Sequence, residues 1–168
     1  MRQIRVLVVE DSVVFRELLV KYLNQDPAIT VVAAAKDAFE ARDAIIKYKP
    51  DVMTLDIELP RMSGLEFLKK LMPQYPLPVV VISSLSDKVF DALNAGAVDF
   101  VAKPTGVSRD QLENFVKNEL PVKVKVASIA KVSSRKTAVI PSTNQPLSND
   151  NKDLIVAIGA STGGTEAI

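Results

Sequence analysis

Apolar residues fall into two alternating textures along the first 120 positions. Short runs rich in Val and Ile predict strands at 5–9, 30–35, 52–55, 79–83 and 98–102. These runs are nearly continuous rather than alternating, which fits parallel strands buried on both faces. Between them the spacing turns helical. Phe15, Leu18, Leu19, Tyr22 and Leu23 follow the i, i+3, i+4, i+7, i+8 rule. Asp37 with Glu40 has the form of a capping box, ahead of a face made by Ala41, Ala44, Ile45 and Tyr48. Leu68, Leu71 and Met72 make a third stripe, and Val89, Phe90 and Leu93 a fourth. Ser108 with Gln111 caps a fifth helix with the face Leu112, Phe115, Val116 and Leu120, and Pro121 is expected to end it. Five βα units predict an α/β domain, a five-stranded parallel sheet with helices on both faces. Ligands of such sheets sit beyond the carboxyl ends of the strands.

The texture changes after Pro121. Residues 121–153 are rich in Pro, Ser, Thr, Asn and Lys, and are expected to form a flexible linker. A new buried-type strand begins at 154–158 and runs into Gly159-Ala-Ser-Thr-Gly-Gly164. A strand and a turn cannot make a core, so 154–168 reads as the truncated start of a second α/β domain. The expected organisation is 1–120, 121–153 and 154–168.

Composition narrows the chemistry. The chain has no cysteine and no histidine, which excludes a disulfide scaffold, a thiolate zinc site and a histidine-assisted nucleophile completed within these 168 residues. Residues 1–120 carry net charge −2, 121–153 net +4 and 154–168 net −1. Four positive charges on a linker are too few to imply nucleic-acid binding. Apolar runs of about five residues fall short of the ~20 that span a bilayer. The first ten residues, broken by Glu10-Asp11, lack a signal-peptide core. A cytoplasmic protein with no membrane insertion is expected.

Chemically unusual residues recur at the predicted strand ends: Glu10-Asp11, Asp56, Ser83 and Lys103-Pro104. Each has an ordinary reading. Asp11 can cap a helix, Asp56 can be a strand exit, Ser83 a cap and Lys103-Pro104 a turn. A parallel sheet, however, brings all of them to one edge. Three close carboxylates repel by a few kcal/mol per pair at an effective dielectric of ~20. A hard cation such as Mg2+ relieves that repulsion. Asp56 can then act as a nucleophile on a phosphoryl group, with Lys103 pairing its oxygens and Ser83 donating a hydrogen bond.

Glu10-Asp11, Asp56 with Pro60-Arg-Met-Ser-Gly64, Ser83-Ser84 and Lys103-Pro104 resemble the signature of the response-regulator receiver domain, over about residues 3–120. The resemblance implies a flavodoxin-like (βα)5 fold with strand order 2-1-3-4-5. It implies that Asp56 accepts phosphate from a histidine kinase. Asp11, Asp56 and the main-chain carbonyl of Glu58 would bind Mg2+, with Glu10 acting through water. Ser83 and Phe100 would be a switch pair, the hydroxyl moving to the phosphate and the ring turning into the vacated space. Ser84 is the alternative hydroxyl, though alignment through Pro78 favours Ser83. Lys103-Pro104 would be a cis peptide. Ser63 stands where many relatives have an acidic residue before Gly64, which leaves a turn or cap intact.

Gly159-Ala-Ser161-Thr-Gly163 fits G-x-S-x-G directly after a strand. On its own this motif presents either a nucleophilic serine or an anion-binding turn. After a receiver and a polar linker it resembles the chemotaxis protein-glutamate methylesterase family. That resemblance implies a C-terminal hydrolase acting on methyl esters of chemoreceptor glutamates and deamidating receptor glutamines, with Ser161 as nucleophile. The family's histidine and second aspartate are missing from these 168 residues, so this piece alone is expected to lack esterase activity. The implied partners are a chemotaxis histidine kinase, methylated chemoreceptors and the chain's own catalytic domain. Two other readings remain. One is a stand-alone receiver acting as a phospho-dependent binding switch. The other is a flavodoxin-like cofactor binder, against which Glu10-Asp11 count because they would repel a flavin phosphate.

Overall fold

A computed structural model describes residues 3–84, 86–104, 106, 109–130 and 132. Ser161, the expected second domain at 154–168 and most of the expected linker lie outside the described residues.

Five strands form one parallel sheet in the order β2-β1-β3-β4-β5. They are β1 (Ile4–Val9), β2 (Ile29–Ala35), β3 (Val52–Asp56), β4 (Val79–Ser83) and β5 (Asp99–Ala102). All pairings are parallel. Every residue of β3 and β4 is buried, as their unbroken apolar texture requires.

Helices cover both faces. On one side α2 (Ala38–Tyr48), α3 (Gly64–Leu71) and α4 (Val89–Asn94) pack on Leu7, Val9, Met53, Leu55 and Val81. On the other, α1 (Val13–Leu23) and the C-terminal helical segments pack on Val6, Val8, Val52, Val80 and Ile82. The α1 stripe is buried as its spacing predicts, through Phe15, Leu19, Tyr22 and Leu23. Asp37 caps α2 by accepting the amides of Phe39 and Glu40. Glu40 reaches back to the amide of Lys36 rather than to that of Asp37.

Two expectations are corrected. In α4 the buried residue is Ala92, while Phe90 is 70% and Leu93 40% exposed, so the apolar stripe read from the sequence faces outward. The C-terminal helix also does not stop at Pro121. After α5 (Arg109–Asn114) the chain runs through a π-helical stretch, Phe115–Glu119, into α6 (Leu120–Ser128). Pro121 lies in the first turn of α6, where its missing amide costs least. Leu120, Val124 and Ala127 are fully buried. The first two linker lysines are anchored: Lys123 pairs with Asp99 at 2.8 Å and Lys125 with Asp26 at 2.7 Å. The expected flexible linker therefore begins as an ordered helix. Among the described residues no helix is long and apolar enough to cross a membrane.

Candidate functional site

Sheet order reverses beside β1, with β2 on one side of it and β3 on the other. Glu10 follows β1, Asp56 ends β3, and Lys103 follows β5. The three meet although 93 residues separate Glu10 from Lys103. Lys103 Nζ lies 2.8 Å and 2.9 Å from the two Glu10 oxygens and 2.9 Å from Asp56 Oδ2. Its ammonium also sits over the Phe15 ring, 4.6 Å from the centroid. The other Asp56 oxygen accepts the amide of Glu58 at 3.0 Å, and Glu10 Oε1 accepts that of Ser12 at 3.2 Å.

Glu10 is 1% and Asp56 2% exposed, so water cannot screen them, and one ammonium faces two carboxylates. Burial pushes the Glu10 carboxyl up to about 7. The Lys103 hydrogen bond opposes this rise and the Asp56 charge adds to it. Burial alone would lower the Lys103 pKa, but its hydrogen bonds to Glu10 and Asp56 outweigh that and hold it above the ordinary value. Lys103 thus stays charged between the two carboxyl groups.

Asp11 is exposed beside this pair. Carboxylate oxygens of Glu10, Asp11 and Asp56 lie within 4.8 Å of one another. An all-oxygen donor set at this spacing, partly open to solvent, fits a hard divalent cation that keeps waters. Arg16 Nη1 donates to the main-chain oxygens of Glu10 at 2.6 Å and Asp11 at 3.1 Å, which fixes this turn. Its role is not legible in the sequence, because a helical Arg normally points to solvent.

Gly64 explains why the Asp56 loop closes so tightly. A Cβ there would stand 1.9 Å from the Asp56 carbonyl oxygen. The Gly64 amide donates to Ile57 O at 2.9 Å. Ser63 caps α3 by accepting the amide of Glu66.

Ser83 is fully buried at the end of β4. Val81 pairs in register with Phe100 and Ser83 with Ala102, so strand alternation puts Ser83 and Phe100 on one sheet face. Phe100 is half-buried against the α2–α4 core. Ser84 is exposed and donates to the Glu58 carboxylate instead. The expected cis Lys103–Pro104 peptide does not occur: no peptide among the described residues is cis. Trans is the lower-energy isomer, and Lys103 reaches both carboxylates from it. A groove of about 470 Å3 between α2 and α3, lined by Phe39, Ile46, Met62 and Tyr75, lies apart from the carboxylate cluster.

Residues 6–117 match the response regulator receiver domain. The chain is 57% identical over 170 residues to a protein-glutamate methylesterase/protein-glutamine glutaminase of Syntrophomonas wolfei, covering all of this chain and 49% of that protein. It therefore spans about half the length of the curated relatives it matches. Among solved structures, the response regulator domain of Thermotoga maritima CheB superposes with a TM-score of 0.71 at 40% identity, covering 77% of this chain and 99% of that one. Thermotoga maritima TrrA, solved in complex with Mg2+-BeF, gives 0.62 at 28% identity, covering 74% and 99%. The chain belongs to the response regulator receiver domain family.

Proposed function

We propose that the chain is the phosphorylation-controlled half of a chemotaxis protein-glutamate methylesterase/protein-glutamine glutaminase, with Asp56 as phosphoacceptor. The observation that carries this is the meeting of Glu10, Asp56 and Lys103 from three strand ends, with the nucleophilic carboxylate buried beside a cation.

An Asp56 oxygen attacks the phosphorus of a phosphohistidine on a chemotaxis histidine kinase. The N–P bond breaks, an acyl phosphate forms, and the imidazole leaves with its electron pair and takes up a proton. In this reading Lys103 pairs with phosphoryl oxygens, and the Ser83 hydroxyl donates to one of them. Asp11, Asp56 and the Glu58 carbonyl would hold Mg2+, with Glu10 acting through water. Bound there, the cation neutralises charge on the phosphoryl oxygens. Withdrawal of Ser83 toward the phosphate frees space on the face it shares with Phe100, and the ring follows.

That rearrangement shifts a two-state equilibrium, as it must if phosphorylation at Asp56 is to relieve inhibition of a C-terminal esterase carrying Ser161. Methylated chemoreceptors are the substrates of that esterase in this reading, and the cytoplasm is where they are met. The test has two arms. A small acyl-phosphate donor should label the chain in the presence of Mg2+, and Asp56→Ala should abolish the label. Esterase turnover of the longer parent should rise with the donor. Labelling that survives in Asp56→Ala, or equal turnover with Asp56 phosphorylated, would refute the corresponding arm.

A further inference from the structure

Asp37 is 1% exposed, yet it is a carboxylate without a lysine or arginine nearby in sequence except Lys36, which pairs with Glu40. One Asp37 oxygen is used by the amides of Phe39 and Glu40. The other receives Nη2 of Arg61, which arrives from the loop after β3. The Arg61 guanidinium also stacks on the Phe39 ring, 4.9 Å from its centroid.

Arg61 bears φ 69, in the left-handed region that non-glycine residues seldom occupy. Across it the Met62 amide donates to Pro60 O at 2.8 Å, a three-residue turn in its rare, strained form. Such a conformation persists only where its surroundings over-determine it. Here the surroundings are the buried Asp37, which caps α2, and the Phe39 ring in its first turn. The same loop supplies the Glu58 amide that holds Asp56 and the Glu58 carbonyl assigned to the cation.

We propose that Arg61, clamped by Asp37 and Phe39, is a positioning residue that locks the 57–63 loop in the shape that presents Glu58 and Asp56 to cation and phosphoryl group. The proposal rests on the receiver function assigned above. It adds that the loop's geometry is held from α2, through a pair that touches neither the cation nor the phosphate.

The test uses the 168-residue chain with Mg2+ alone as the first probe. Asp37→Asn keeps the cap acceptor and removes the charge that holds Arg61, and Arg61→Ala removes the other partner. Both should weaken Mg2+ binding in calorimetric titration roughly 10-fold, the low end for residues that orient metal ligands. Amide hydrogen exchange should accelerate at Leu59 and Met62 but not at Leu68. Arg61→Lys should restore part of the affinity, because it keeps the charge but not the planar fork. Acyl-phosphate labelling should need proportionately more Mg2+ in the alanine variant, while the rate at saturating Mg2+ stays within a few-fold of the parent's.

If Arg61→Ala binds Mg2+ within twofold of the parent and exchanges no faster at Met62, the clamp has no positioning role and the inference is overturned. The parent chain is the control for the underlying reading. Failure of the unsubstituted chain itself to bind Mg2+ or label removes the proposed phosphoacceptor function and this inference with it. Normal parent behaviour with a silent Arg61→Ala removes the inference alone.

Discussion

Replacing Gly64 with alanine places one methyl group where the fold leaves no room. The new Cβ would lie 1.9 Å from the Asp56 carbonyl oxygen, 2.9 Å from its carbon and 3.0 Å from Ile57 Cα. All three neighbours are backbone atoms, so no side chain can swing aside. To reach ordinary contact, the start of α3 and the end of β3 must separate by about 1.5 Å. That displacement breaks the Gly64–Ile57 hydrogen bond and strains the core. Overpacking and the lost bond together predict destabilisation of about 2–4 kcal/mol. It also moves Asp56 relative to Lys103. A 2.9 Å contact opened by this much is no longer a hydrogen bond, and misplacement on this scale costs about 100-fold in a positioned reaction. Urea unfolding followed by far-ultraviolet dichroism gives the first quantity, and the acyl-phosphate labelling rate at saturating Mg2+ the second. A Gly64→Ala protein within about 0.5 kcal/mol of the parent, labelling at the same rate, would show that the loop has slack and that the close approach is not why glycine stands there.

Further expectations follow from burial and charge. Thr54 is buried between Val8 and Val80, and its hydroxyl is an unpartnered buried side-chain oxygen among the described residues. Thr54→Val should therefore stabilise by about 1 kcal/mol, a rise in Tm of about 3–5 °C; a fall in Tm would mean the hydroxyl has a partner. In the metal-free protein the Glu10 carboxyl binds its proton up to about 7, against 4.5 ordinarily. The folded state thus holds the extra proton, and stability from this group is full at low pH and is lost as pH rises through about 7. Thermal melts should show that loss flattened in Glu10→Gln, and the stabilisation by Mg2+ should grow over the same pH range; an unchanged slope in Glu10→Gln would assign the effect elsewhere. A chain ended after Glu119 should be markedly less stable than one ended after Ala130. It loses Leu120 and Val124, both fully buried, at about 1.5–3 kcal/mol each; equal denaturant midpoints would contradict the packing of α6.

The sheet and the strand-end residues were legible because they depend on one-dimensional signals. Val-rich runs mark strands, and a parallel topology sends every strand's carboxyl end to the same edge. Element edges and surfaces were harder. Phe90 and Leu93 form a plausible apolar stripe, yet the neighbouring Ala92 lets α4 lie close to the sheet, and that choice depends on partners far along the chain. Pro121 is a helix stop when read locally. The π-helical turn before it supplies a register in which its missing amide falls in a first turn, and no local propensity announces that. Arg61 and Arg16 were invisible for a related reason. Their value lies in what they reach, a buried carboxylate and two main-chain carbonyls, and spacing alone does not reveal reach. Lys103–Pro104 shows the opposite error: a family expectation of cis where Lys103 meets its partners across a trans bond.

The distance in sequence between the members of the site has a consequence for the making of the protein. Glu10 emerges early in synthesis, Asp56 later, and Lys103 only 93 residues after Glu10. Until β5 is docked, two buried carboxylates would face each other without their cation, so a half-made sheet is penalised at the site itself. Closure waits on Lys103 reaching back across the sheet to Glu10 and Asp56, a long-range contact of the kind that forms slowly. On the phosphoacceptor role proposed above for Asp56, competence to receive phosphate would arrive only with that closure, and a nascent or partly unfolded chain would be silent to a phosphodonor. The same ammonium group that would pair with the phosphoryl oxygens in the proposed function also marks completion of the sheet.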